Sequence, residues 1–243
     1  MTGNELFSLW LSLSASIALA LTATSIAFAL AHRLYLATGS NPLANPVLVA
    51  ILLLIAVLSL SKTPYEVYFE GAKFIHFLLG PATVALAIPL YRQLDKLRRL
   101  WLPILVAVTV GVTTAALSVM GLAWYLGGSL KTILSLAPKS VTAPVAMGIT
   151  EKIGGVPSLT AVFVIFTGII GAVLGTHLFA WLRIRDDSIR GIAMGVTSHG
   201  IGTARAFQVS WEMGAFSGLA MALSAVATSV IVPWLLVWLG LRP

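Results

Sequence analysis

The stretch Thr197-Ser198-His199-Gly200-Ile201-Gly202-Thr203-Ala204-Arg205 decides how this chain is read. Long apolar runs flank it on both sides, and at bilayer depth an imidazole, a guanidinium and three hydroxyls are expensive unless they line something. Two glycines so close together break a helix. Irregular backbone survives in a membrane only where protein or a watery cavity surrounds it. The stretch therefore reads as a polar site inside a membrane protein.

Composition supports that setting. Of 243 residues 58% are hydrophobic and only 9% charged, with mean hydropathy +0.98, where a soluble domain carries about 25% charged residues. The net charge of +7 is spread over loops between apolar runs. That is the pattern of topology determinants facing anionic lipid, so no nucleic-acid partner is expected. Cysteine is absent and the histidines (His32, His76, His177, His199) are scattered, so no metal site is expected. There is no Gly-x-Ser-x-Gly elbow and no phosphate-binding glycine motif, so the chain is not read as an enzyme and no cofactor is implied. The N-terminal apolar stretch carries Glu5 and no basic residue, which argues against a cleavable leader.

A helix needs about 20 apolar residues to cross the hydrocarbon. Six segments qualify or nearly do: Leu6–Ala31, Pro46–Leu60, Val67–Tyr91, Trp101–Leu126, Ser158–Leu182 and Gly214–Leu239. The second is short, and Asn41-Pro42 with Asn45-Pro46 could extend it as irregular backbone. The third carries Glu70, Lys73 and His76, and Gly80-Pro81 predicts a break or kink. Ser129–Lys152 and Ser188–Met213 are too polar to be ordinary spans. Each is two arms around a break, at Ala137-Pro138-Lys139-Ser140 and at the opening stretch. An arm of ten residues covers about 15 Å, half the hydrocarbon, which suits a re-entrant hairpin.

The expected fold is all-α and polytopic: about six spanning helices plus two broken, re-entrant hairpins. It forms one integral membrane domain over 1–243, with N-terminal helices in 1–128 and the motif region in 129–243. With the N-terminus outside, re-entry puts Arg33, Arg92, Lys96, Arg98, Arg99, Arg183, Arg185 and Arg190 in the cytoplasm, as the positive-inside tendency asks. A 60-residue shift lays Lys139–Ala146 over His199–Ala206 and Gly154 over Gly214, which makes the two hairpin-plus-helix units candidate inverted repeats.

If the two tips face each other, the second arms begin near Ser140–Val141 and Gly202–Thr203, and two helix N-termini would favour an anion there. Lys139 and Arg205 add positive charge. Ser140, Thr142, Ser198 and Thr203 offer hydroxyls, His199 a titratable ring, and Gly200 and Gly202 close backbone approach. Glu151 and Glu212 would orient the cations. Structural alternatives stand beside each role. Lys139 or Arg205 could simply pair with Glu151 or Glu212, His199 could be an interhelical hydrogen-bonding residue, and the glycines could serve helix packing.

The runs Leu136-Ala137-Pro138-Lys139-Ser140-Val141-Thr142-Ala143-Pro144 and Glu151-Lys152-Ile153-Gly154-Gly155 resemble the LrgB/CidB family. So do Ser198 to Ala206 and Gly214-Ala215-Phe216-Ser217-Gly218-Leu219-Ala220. One departure is Ala143, where many relatives carry a second threonine. The resemblance implies a protein of the bacterial inner membrane and two functional classes. One is transport of small monocarboxylates such as glycolate, glycerate or pyruvate, the class that suits a cationic, hydroxyl-lined tip. The other is a holin-like or antiholin-like regulator of murein hydrolase activity and lysis. Either would act in the bilayer with a small LrgA/CidA-type membrane protein, and self-association is left open.

Overall fold

In the computed structural model, residues 17–39, 44, 46–85, 88 and 91–241 are described, and those residues carry helices and no strand. Contacts divide the chain into two compact units, Met1–Ala85 and Leu86–Pro243. The first holds α1 (Ile17–Ala37), α2 (Pro46–Leu60) and α3 (Tyr65–Ala85). Its core is made of small residues, with Ala27, Ala31 and Ala50 buried against Val49 and Leu54; small side chains let membrane helices approach closely. Thr24 Oγ1 and the Tyr68 hydroxyl, 2.7 Å apart, tie α1 to α3. Residues 6–16 of the first expected span, together with Asn41, Pro42 and Asn45, lie outside the described residues.

The break expected at Gly80-Pro81 does not occur: α3 stays helical through Pro81 to Ala85. A proline in a membrane helix loses one N–H partner, and local adjustment can re-satisfy the freed carbonyl.

The second unit holds α4 (Leu94–Tyr125), α5 (Leu130–Leu136), α6 (Ala143–Lys152), α7 (Pro157–Trp181), α8 (Asp187–Val209) and α9 (Trp211–Trp238). Four described helices are long and apolar enough to cross a membrane: α1, α4, α7 and α9. The chain is a multi-pass, all-α membrane protein. Helix α4 has 32 residues, about 48 Å at 1.5 Å per residue. It therefore outruns the hydrocarbon, and its first turns carry Asp95, Lys96, Arg98 and Arg99.

Helix α8 folds back on itself. His199, with φ 41° and ψ −134°, is non-helical and separates two helical arms. Gly202 packs so closely on the first arm that a Cβ there would lie 3.0 Å from the Met194 carbonyl oxygen. Met194 and Ala206 share one core cluster with Phe179 and Met213, although a straight helix would hold positions 194 and 206 about 18 Å apart. The two ends of the hairpin meet, with Ser210 Oγ donating to Asp187 Oδ2 at 2.6 Å. Lys96, at the start of α4, ties this base to its neighbours: its Nζ is 3.2 Å from Asp186 and 2.7 Å from Glu212.

The first hairpin enters from the other end. The chain leaves α5 through turns over 137–142 and returns along α6, after which Val156 N–H donates to Ser135 Oγ at 2.8 Å. Ile133, Leu134, Ala137, Ile149 and Ile153 pack with Ala116, Met120 and Ala123 of α4 and with Val232, Leu235 and Leu236 of α9. Those are the C-terminal halves of the same two helices whose N-terminal turns hold the second hairpin. Each unit is thus a broken hairpin followed by one crossing, inverted relative to the other.

Asp186 caps α8 and reports on this base. The Ser188 hydroxyl donates to it, as do the Ser188 and Ile189 N–H groups, and the Lys96 ammonium lies beside it. The Ser188 hydrogen bond foremost, with the Ile189 N–H and Lys96, holds its carboxyl well below its ordinary value, at about 2. A depressed folded-state pKa contributes stability above the ordinary carboxylate range and loses it as pH falls through the folded value. Melting temperature measured from pH 5 to about pH 2 should therefore decline, and Asp186→Asn, which still caps the helix, should flatten that decline. The effect is modest because the side chain is 45% exposed.

Candidate functional site

The two tips converge on the middle of α7. His199 Nε2 lies 3.0 Å from the Val164 carbonyl oxygen. A carbonyl can only accept, so Nε2 carries a proton and, in the neutral ring, Nδ1 presents a lone pair. Val164 also packs with Val141 and Ala146 of the first hairpin, so one residue of α7 touches both tips. The Lys139 ammonium and the His199 ring are close enough to act on each other electrostatically. Gly168, beside the middle of α7, makes room for the ring, since a Cβ there would come within 2.7 Å of His199 Cε1. Gly171 does the same for Ser198, whose Cβ would lie 2.8 Å away.

Local chemistry places the breaks. In the first hairpin Pro138 leaves α5, and Pro144 in the first turn of α6 is preorganised for a helix start. Thr142 becomes the N-cap, with no side-chain cap hydrogen bond. The second arm thus begins at Ala143, two to three residues beyond the expected Ser140–Val141. In the second hairpin the arm resumes at Gly200, ahead of the expected Gly202–Thr203, because the turn is made by His199 itself.

The remaining expected residues divide. Lys139 reaches the tip, where its ammonium makes a long 3.5 Å contact to the buried Ser140 hydroxyl. No described carboxylate lies within ion-pair distance of it. Ser198 is fully buried and shares a 3.1 Å hydrogen bond with Thr197. Thr203 donates to the His199 carbonyl at 2.8 Å and lies 2.9 Å from Ser217 Oγ. Having only one hydrogen, it must accept from Ser217, so its hydroxyl braces the tip. Arg205 is buried but sits six residues down the arm, about 9 Å from His199, with Nη1 donating to Gln208 at 3.0 Å.

The expected orienting carboxylates are not at the tips. Glu212 is taken by Lys96 at the hairpin base, and Glu151 is exposed at the end of α6 and in no described ion pair. The hairpin geometry gives the reason: both acids sit at hairpin bases, on opposite sides of the bilayer depth that the tips occupy.

Sequence reading passed over α9. Ser217, Met221, Ser224 and Thr228 fall on one face by helical spacing. Thr203 Oγ1 lies 4.0 Å from Met221 Sδ, and a Cβ on Gly200 would lie equally near that sulfur, while Ser229 and Pro233 lie beside Pro144 and Gly148 of the first hairpin. Ser224, fully buried with no hydrogen-bond partner for Oγ, therefore lies on the segment between the two tips. The spacing of seven and four between Ser217, Ser224 and Thr228 was the available signal, hidden by the apolar residues around them.

The backbone of His199 supplies a test. Its positive φ lies in a region that favours glycine, at a cost of about 1–3 kcal/mol. His199→Gly relieves that strain while losing one hydrogen bond worth about 1 kcal/mol, so its melting temperature should stay near wild type. His199→Ala keeps the strain and loses the bond. It should melt below the glycine variant, the reverse of the usual helix order.

The family described as LrgB-like family matches residues 24–238. The chain is 40% identical over 192 residues to the protein YwbG of Bacillus subtilis strain 168, covering 79% of this chain and 85% of the relative. It is 36% identical over 197 residues to the holin-like protein CidB of Staphylococcus epidermidis, covering 81% and 86%. It is 33% identical over 215 residues to the antiholin-like protein LrgB of Bacillus cereus strain B4264, covering 88% and 94%. No solved structure matches. The helix order, the two broken hairpins and a match that runs through both motifs lead to one statement: this chain belongs to the LrgB-like family.

Proposed function

We propose that the chain carries small organic anions, monocarboxylates of the glycolate, glycerate or pyruvate kind, across the bacterial inner membrane through the space between its two hairpin tips. One observation carries this reading: Lys139 stands at a hairpin tip, within electrostatic reach of His199, with no described carboxylate in ion-pair range. A cation held at that depth calls for an anion, and the two acids expected to pair with it stand at the hairpin bases instead. The start of α6 adds unpaired N–H groups of the kind that favour negative charge. Ser140 and Ser224 supply hydroxyls for a substrate oxygen, and Arg205 adds positive potential from below. Two inverted units meeting at a midplane site are the architecture of alternating access.

The names of the relatives favour a second reading, a holin-like or antiholin-like regulator of murein hydrolase activity and lysis. They give no support to a carboxylate substrate. In either reading a small LrgA-type membrane protein is the natural partner. Purified chain in proteoliposomes, with and without that partner, should show saturable uptake of labelled glycolate, glycerate or pyruvate. If neither preparation does, transport is rejected. A strain whose lysis control survives Lys139→Met while uptake is lost would assign both activities to one chain.

A further inference from the structure

Between α4 and the first arm of the second hairpin runs an apolar groove of about 440 Å³, walled by Leu100, Pro103, Ala107 and Gly111 on one side and Ile189 and Ala193 on the other. From Leu100 to Gly111 is eleven residues, about 16 Å at 1.5 Å per residue. That is one leaflet of a hydrocarbon core about 30 Å thick. At its inner end the walls close, since a Cβ on Gly111 would meet Val196 Cγ1 at 2.8 Å. Its apolar lining and its one-leaflet length match a single acyl chain laid along α4.

The mouth is basic. Arg99 stands one helical turn before Pro103, and Arg185 lies three residues before Ser188, which also lines the groove. Both are exposed and in no described ion pair. Of the acids nearby, Asp186 and Glu212 are engaged by Lys96 and Asp187 by Arg190, while the exposed Asp95, one turn before Arg99, forms no described ion pair; the two guanidinium groups therefore remain available to an anion. We infer that the groove binds an anionic phospholipid of the leaflet at this basic end, with one acyl chain along α4 and the phosphate held by Arg99 and Arg185. Because the hairpin arm forms one wall, the bound chain braces the hairpin against α4. This site does not depend on the transport reading.

Native mass spectrometry of the purified chain, offered equal amounts of phosphatidylglycerol and phosphatidylcholine, tests it. Phosphatidylglycerol should be retained preferentially. Arg99→Gln should cut that preference about fivefold, as one interfacial charge does. Ala107→Trp, which fills the groove, should abolish retention of both lipids, and Ala193→Phe does the same from the opposite wall if the first variant fails to fold. Lys152→Gln, at the far end of the unit, should change nothing. The inference is overturned if the two lipids are retained equally, or if Arg99→Gln and Lys152→Gln act alike. It is also overturned if a photocrosslinker placed at Ala107 in native membranes captures a polypeptide instead of lipid.

Discussion

If the chain carries anions as proposed, Lys139→Met should remove their uptake and at the same time raise the melting temperature of the protein. The two effects have one origin. Lys139 makes a single long hydrogen bond to Ser140 and has no described carboxylate within ion-pair distance. An unpaired cation at bilayer depth costs about 2.5–3.5 kcal/mol on insertion scales, and part of that is recovered when methionine takes its place. A substrate carboxylate that loses this partner forfeits about 3 kcal/mol, roughly a hundredfold in affinity. Uptake kinetics should show the loss in KM, with Lys139→Arg retaining part of it because the charge stays. A lysine that merely held the bundle together would behave oppositely, with Lys139→Met lowering stability. Measuring melting temperature and uptake on the same preparation separates the two.

Gly195→Ala and Gly191→Ala should each destabilise the second hairpin by about 3 kcal/mol, at the upper end of overpacking costs. A Cβ at 195 would lie 2.2 Å from the Ser217 carbonyl oxygen and 2.9 Å from Ala220 Cβ. At 191 it would lie 2.4 Å from the Met213 carbonyl oxygen. Those neighbours are largely backbone and cannot swing aside as a side-chain end would, so the hairpin arm and α9 must separate. The pairs 191 with 213 and 195 with 217 advance together, which makes the first arm parallel to α9. Only a chain that turns back at His199 can produce that. Gly121→Ala on α4, with nothing within 4 Å, is the control and should be neutral or slightly stabilising. Thermal melts of the three variants in detergent check this. Equal behaviour of all three would contradict the hairpin packing.

Much of this molecule is legible in its residues. The apolar runs announce α4, α7 and α9 within a turn or so at most ends, because twenty apolar residues in lipid have few options besides a helix. Both breaks are equally local: at Ala137-Pro138-Lys139-Ser140 a missing backbone donor coincides with polar neighbours, and Ser198 to Gly202 is too polar and too glycine-rich to cross unbroken. Gly80-Pro81 has the same signature, yet α3 runs through it, since a proline by itself leaves helix continuation open when its surroundings re-satisfy the carbonyl. The positive-inside argument pointed to re-entry from charges alone, which act over the whole loop and need no contact to be known.

What the sequence by itself determined is where helices run, where they break and which residue types stand at the breaks. All of these depend on neighbours a few positions away. The tertiary structure decided which of those residues meet. Ser210 closes onto Asp187 across 23 positions and Lys96 claims Glu212 across 116, leaving Lys139 without the acid it was expected to share. Val164, an unremarkable residue of an apolar helix, touches both tips, and Ser224 is left buried between them. No local pattern carries such facts, because a hydrogen bond between distant segments depends on how whole helices pack and on nothing nearby in the chain.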